Sequence, residues 1–203
     1  MHLRDRETWL FAGDSITQGV EHTHGERCWV ELFAEYVRRT CDRPLDIVVN
    51  TGVSGWTTRG VLGEFDHLVG RWAPTVVSIS LGTNDASLDP AKHVPLDEFR
   101  SQLSELVTRS AGLGARVVVQ TPALVSPSAL QMRPDVAAYS AVCRVVAEAT
   151  GALLVDHEAH WRAAFADVDP VAWLDDPIHP NPEGHRQMAR LLIERLGLGT
   201  PPG

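Results

Sequence analysis

Four short polar clusters interrupt the apolar segments of this chain, and they hold the residue types that acyl chemistry uses. The first is "GDS", Gly13–Ser15, at the end of the apolar run beginning at Thr8. A serine hydroxyl attacks poorly near neutral pH unless a base takes its proton. His179, in "DDPIHPN", can be that base. Asp176 lies three residues before it, and Pro177 and Pro180 stiffen the connection, so a carboxylate can meet the imidazole within one tight loop. Asp175 is an adjacent alternative for the same task. Each cluster also has a plainer explanation. Asp14 or Ser15 can cap a following helix, and Asp176 and His179 can organise the start of the last helix, which Asn181 caps. The Gly-x-Ser-x-Gly elbow of α/β-hydrolases is absent.

Two further clusters offer hydrogen-bond donors. Asn84, in "SLGTND", has an amide suited to a developing oxyanion, or to a turn helped by Gly82. "NTGVSG" contains two glycines, Gly52 and Gly55, either of which can expose a backbone N–H where no Cβ obstructs a substrate. With the N–H of Ser15, three donors result.

These clusters need elements to position them. Apolar runs at Thr8–Ala12, Leu45–Asn50, Thr75–Leu81, Arg116–Gln120 and Ala152–Val155 have the length of parallel strands covered on both faces. Helical periodicity lies between them. Trp29, Leu32, Phe33, Tyr36 and Val37 share a face, as do Phe99, Leu103, Leu106 and Val107 after Asp97 as N-cap. Val142, Val145, Val146 and Ala149 repeat the pattern. In the last helix Pro182 fits the first turn, and Met188, Leu191, Leu192 and Leu196 face inward. The alternation predicts an α/β sandwich with a mainly parallel sheet, and ligands bind beyond the carboxyl ends of such strands. All four clusters fall on that edge.

In this order and at these positions the clusters resemble the SGNH, or GDSL, hydrolase family, named for its serine, glycine, asparagine and histidine. "GDS" is similar to the first block, with Ile16 where many members have leucine. "NTGVSG" is similar to the second, whose oxyanion glycine stands five positions after the asparagine; counting from Asn50 selects Gly55. "GTND" matches the third block, and "DPIHPN" matches the last, selecting Asp176 over Asp175. The resemblance implies a flavodoxin-like three-layer α/β/α sandwich with a five-stranded sheet, and ester or thioester hydrolysis without a metal. It implies a triad of Ser15, His179 and Asp176, with the oxyanion held by Ser15, Gly55 and Asn84. A small acyl ester is the expected substrate. Acyl-CoA thioesterase, lysophospholipase and acyltransferase activities share the same chemistry, and a flavodoxin-like ligand-binding module is the non-enzymatic alternative.

The bulk properties agree. At 203 residues, with 44% apolar and 22% charged residues, one domain over 1–203 is expected, with a loose tail from about residue 197. The net charge of −8 disfavours a phosphate-backbone partner. No apolar run is long enough to span a membrane. Arg4, Asp5, Arg6 and Glu7 precede the first apolar run, unlike a signal peptide, so a cytoplasmic protein is expected. Cys28, Cys41 and Cys143 give neither a disulfide framework nor a zinc site, and Cys28 and Cys143 are expected to be buried, inert thiols. No nucleotide-binding glycine fingerprint occurs, and no cofactor is expected. The pair His22 and His24 reads as solvated loop histidines without ligand spacing, in a loop that follows Ser15 closely enough to brush a substrate. His157 and His160 read as a surface pair. Trp56 is a candidate pocket wall or a core aromatic, and the Pro-rich Thr121–Asp135 is either a pocket-shaping loop or a plain connection.

Overall fold

The computed structural model describes residues 3–166 and 168–199. Five parallel strands, β1 (Thr8–Gly13), β2 (Ile47–Asn50), β3 (Val76–Ser80), β4 (Arg116–Gln120) and β5 (Leu153–Val155), form one sheet in the order β2-β1-β3-β4-β5. The side-chain period of two splits the apolar residues between the sheet's faces. Leu10, Ala12, Val77, Ile79, Val117 and Val119 pack with Val61 of α3 (Thr58–Gly63), Phe65 of α4 (Phe65–Leu68), Phe99 and Leu103 of α5 (Leu96–Gly112) and Tyr139 and Val146 of α6 (Val136–Thr150). Trp9, Phe11, Val76, Val118 and Val155 pack with Trp29 and Phe33 of α2 (Trp29–Arg39), Trp161 of α7 (His157–Phe165), and Met188 and Leu192 of α8 (Pro182–Leu196). Three layers result, as the resemblance implied. The strand order reverses at the β1/β3 boundary, where β1 continues to β2 on one side and β3 to β4 on the other. A crevice opens at such a point.

Several local expectations need correction. α5 begins at Leu96 behind Pro95, so Asp97 lies in the first turn, favourable to the helix dipole, and is not the cap. α6 begins six residues before Val142, and its buried face runs through Val136, Tyr139, Cys143, Val146 and Ala147; Val145 and Ala149 point outward. β2 is an edge strand, so Leu45 lies outside it and Ile47 is exposed although both are apolar. Asn181 caps α8 by accepting from the N–H of Gly184, with Pro182 in the first turn. The three cysteines are free, with Cys28 and Cys143 buried and their thiol pKa values raised by that burial. Of the expected loose tail, residues 200–203 lie outside the described residues, while the carbonyl of Leu198 accepts from Tyr36 Oη at 3.2 Å. Among the described residues no helix is long and apolar enough to cross a membrane.

Candidate active site

Register places the site. Gly13 at the end of β1 lies beside Ser80 at the end of β3, so the turns after both strands emerge next to each other. After β1 the chain enters the single-turn helix α1 (Ser15–Gln18). Asp14 caps it, its Oδ1 accepting from the N–H of Ile16 at 3.0 Å, and Gly19 ends it in the left-handed region at φ 69°. The indole N–H of Trp29 donates to Ile16 O at 3.1 Å and ties this turn to α2. Ser15 is half-buried at the front of the turn.

His179 comes from the opposite end of the chain. A bridge between Leu174 and Pro180 and a bond from Asp175 N–H to His179 O (2.9 Å) pinch residues 174–180 into a tight loop. Within it Asp176 Oδ1 accepts the backbone N–H groups of Ile178 (2.8 Å) and His179 (2.7 Å), leaving Oδ2 for His179 Nδ1 at 2.7 Å. His179 Nε2 then stands 2.9 Å from Ser15 Oγ. Three residues separated by up to 164 positions in sequence thus form one continuous hydrogen-bonded relay. Burial opposes charge on Asp176, but the three hydrogen bonds outweigh it and hold its carboxyl below the usual range. Burial likewise lowers the pKa of His179, with smaller contributions from His22 and Arg133, while Asp176 pulls it up. A neutral imidazole whose second nitrogen faces a hydroxyl can accept its proton.

The donors line the neighbouring turns. Asn84 is buried, and its amide nitrogen donates to Trp56 O at 3.0 Å, which fixes the amide and ties the β3 turn to the β2 turn. Gly55 has φ 78°, where a side chain is strained, and a Cβ placed on it meets nothing nearer than Lys92 at 3.8 Å. At Gly52 a Cβ would lie 2.5 Å from Gln18 N and 2.9 Å from Thr17 C, so that glycine lets the β2 turn press against α1. The two glycines differ in what their missing side chains permit: close packing at Gly52, open space at Gly55. Trp56 is half-buried against the core. Beneath the site Asp85 accepts from the N–H and hydroxyl of Thr58 and from Gly82 N–H. Burial raises the pKa of Asp85, and that of Asp14 up to about 7, with each other's charge contributing at Asp14.

Two features went unread in the sequence. His22 and His24 are not free loop histidines: Asp175 takes His22 Nδ1 at 2.9 Å and His24 Nε2 at 2.5 Å, and the His22 ring stacks on His179 with centroids 3.8 Å apart and 8° between planes. The adjacency of Asp175 to Asp176 and of His22 to the Ser15 turn was the available signal. Arg133, in the Thr121–Asp135 segment, donates from Nε to Thr83 O at 2.9 Å, and its charge reaches Asp14, Asp176 and His179. That segment also bonds the loop of residues 174–180 through Ser126 N–H and Pro177 O (2.8 Å). The surface pair is likewise corrected at His157, which is fully buried, bonded to Gln120 Oε1 at 2.5 Å, and pushed by burial down to about 3.

Nitrogen and oxygen atoms of His22, Asp176 and His179 lie within 4.8 Å of one another, the spacing of a cation site. The fit is poor. Parallel stacked rings direct their lone pairs along separate planes, so one ion cannot lie on both axes, and both His179 nitrogens are already engaged.

Comparison with known proteins points the same way as the geometry. A model of the GDSL-like lipase/acylhydrolase family matches residues 11–187. An acetylxylan esterase of Geobacillus stearothermophilus is 31% identical over 97% of both chains, and the isoamyl acetate-hydrolyzing esterase 1 homolog of Mus musculus is 31% identical over 87% of this chain and 76% of its own. The crystal structure of the Geobacillus esterase superposes with a TM-score of 0.83 over 94% of both chains at 28% identity. Catalytic mutants of that esterase replace a serine, an aspartate and a histidine by alanine, the aspartate three positions before the histidine.

Proposed function

The chain belongs to the GDSL-like lipase/acylhydrolase family and is a carboxylic ester hydrolase, and from that premise we propose that Ser15, His179 and Asp176 are its catalytic triad. The observation that carries this reading is the 2.9 Å contact between Ser15 Oγ and His179 Nε2, on a ring whose Nδ1 bonds Asp176 at 2.7 Å. Ser15 Oγ attacks the acyl carbonyl as its proton passes to His179 Nε2, and Asp176 stabilises the imidazolium that forms. The carbonyl oxygen becomes an oxyanion held by the N–H groups of Ser15 and Gly55 and by the amide of Asn84. Collapse breaks the ester C–O bond, and His179 returns the proton to the leaving alcohol. Water, deprotonated by the same imidazole, then attacks the acyl-enzyme and releases the acid.

Acetyl esters are the substrate class, supported by the relatives named for acetylxylan and isoamyl acetate. A carbohydrate or similarly polar alcohol is the leaving group this reading favours. A fluorophosphonate probe should label the wild-type protein at Ser15, and Ser15→Ala should remain folded while losing p-nitrophenyl acetate turnover and labelling. Acetylated xylo-oligosaccharides should be cleaved faster than acyl-CoA thioesters. Labelling at another residue would overturn the triad, and preference for thioesters would overturn the substrate class.

A further inference from the structure

We propose that His22 is a positioning residue for His179, its ring stacked on the catalytic imidazole and anchored by Asp175 so that His179 keeps both of its in-plane partners. This rests on the reading of His179 as the base. One hydrogen bond from Nδ1 to Asp176 fixes a distance but leaves the ring free to tilt, because the χ2 torsion of histidine has a broad minimum. A flat ring 3.8 Å away and 8° from parallel blocks that tilt on one side. The blocking ring is itself held. Asp175 Oδ2 accepts from His22 Nδ1 at 2.9 Å, Asp175 Oδ1 takes His24 Nε2 at 2.5 Å, and the Asp175 backbone N–H bonds to His179 O at 2.9 Å. Asp175 therefore fastens the stacking ring to the same loop that carries the base. Between the two histidines Thr23 is buried, and His24 itself adopts a left-handed φ of 52°.

The arrangement also has an electrostatic consequence. Charged and titratable groups face His179 from four directions: Asp176 in its own loop, His22 from the segment after α1, Arg133 from the segment after β4, and His185 from α8. Around His22 stand Asp175, Asp176, with Oδ2 at 3.9 Å, and His24 on the far side of Asp175. Burial is the main cause that lowers the pKa of His179, and the neighbouring His22 adds to it. The base then stays available at lower pH than it would without its neighbour.

The test uses p-nitrophenyl acetate kinetics across pH. His22→Ala should lower kcat by about 10-fold with KM within about 2-fold, the signature of misplaced chemistry and not of lost binding. The acid limb of kcat/KM should move to higher pH. His22→Phe keeps a flat ring but carries no charge, so it should recover most of kcat and leave the limb displaced. Asp175→Asn should give a weaker form of the His22→Ala result, and it decides the matter if His22→Ala fails to fold. Wild-type kcat and limb in His22→Ala would overturn the proposal. So would a loss confined to KM, which would mean that His22 touches substrate, or a His22→Phe no better than His22→Ala. His179→Ala, run alongside, separates the two readings. Retained turnover there would remove the base itself, whereas abolished turnover with a silent His22→Ala would remove only the role of His22.

Discussion

Asp176 holds His179 at both ends, accepting its backbone N–H at Oδ1 and its ring Nδ1 at Oδ2, each at 2.7 Å. Its neighbour Asp175 bonds instead to His22 and His24. Two adjacent carboxylates of the same type are thereby given separate tasks by which backbone and ring groups they meet. Asp176→Asn puts an amide where a carboxylate must face an imidazolium, and by analogy with serine-protease triads kcat should fall by up to about 10⁴. Asp175→Asn should cost less than about 10-fold, since it acts through a stacked ring and not through the proton relay. Steady-state kinetics of the two variants check this, and the reverse ranking would reassign the acid.

The two glycines of "NTGVSG" invite a paired experiment. A methyl at Gly52 strikes the backbone of α1, which flexible side-chain motion cannot relieve. Gly52→Ala should therefore lose about 1–3 kcal/mol of stability, along with activity, because the turn carrying Ser15 must move. A methyl at Gly55 enters open space and suffers only its positive φ, a strain of roughly 1–2 kcal/mol. Gly55→Ala should keep a melting temperature within about 8 °C of wild type while kcat drops by about 10–10²-fold as its N–H is turned from the oxyanion. Thermal melts beside kcat for both variants distinguish a packing glycine from a donor glycine.

Much of this site was legible because its parts are local. The Asp176–His179 spacing, the Asn181 cap and the strand-terminal positions of Ser15, Gly55 and Asn84 each follow from a few neighbouring residues and the period of the flanking elements. What could not be read depended on long-range contact. His22 looks like any polar loop histidine until the loop of residue 175, 153 positions away, is folded against it. His157 reads as half of a polar surface pair with His160, and only its contact with Gln120 on β4 shows why it is buried. β2 shows the converse. Its apolar residues suggested an interior strand, but an edge position is decided by the order of strands in the sheet, which no single segment encodes.

Asp14 links the site to stability. It is buried directly before Ser15, and desolvation lifts its carboxyl up to about 7 from 3.8. Because the folded state binds this proton more tightly than the unfolded chain, its contribution is complete below about pH 4 and is lost as pH rises towards 7. Asp14→Asn keeps an oxygen for the Ile16 N–H and removes the titration. The variant should be more stable than wild type at pH 8, and the advantage should shrink on acidification by about 1.4 kcal/mol per pH unit between pH 7 and 4. Denaturant melts at pH 8 and pH 5 measure it; an advantage independent of pH would mean that Asp14 does not titrate in this range.

His157 titrates with the opposite sign. Burial holds its pKa down at about 3, and His185 is held down at about 4, whereas both bind protons near 6.5 once unfolded. Their stability is thus present above about pH 6.5 and is lost as pH falls towards those folded values. Over the same range Asp14 gains, so the wild-type protein should lose stability on acidification more gently than two histidines alone would dictate. His157→Gln removes one of the two destabilising protons and retains an amide able to donate to Gln120, which keeps the buried chain through Gln120 to Ser78 satisfied. The variant's stability should therefore decline less than wild type's between pH 6.5 and 4.5, while Asp14→Asn declines most steeply. Denaturant midpoints of the three proteins at pH 6.5, 5.5 and 4.5 give this ordering directly, and equal slopes in all three would show that acid sensitivity arises elsewhere in the fold.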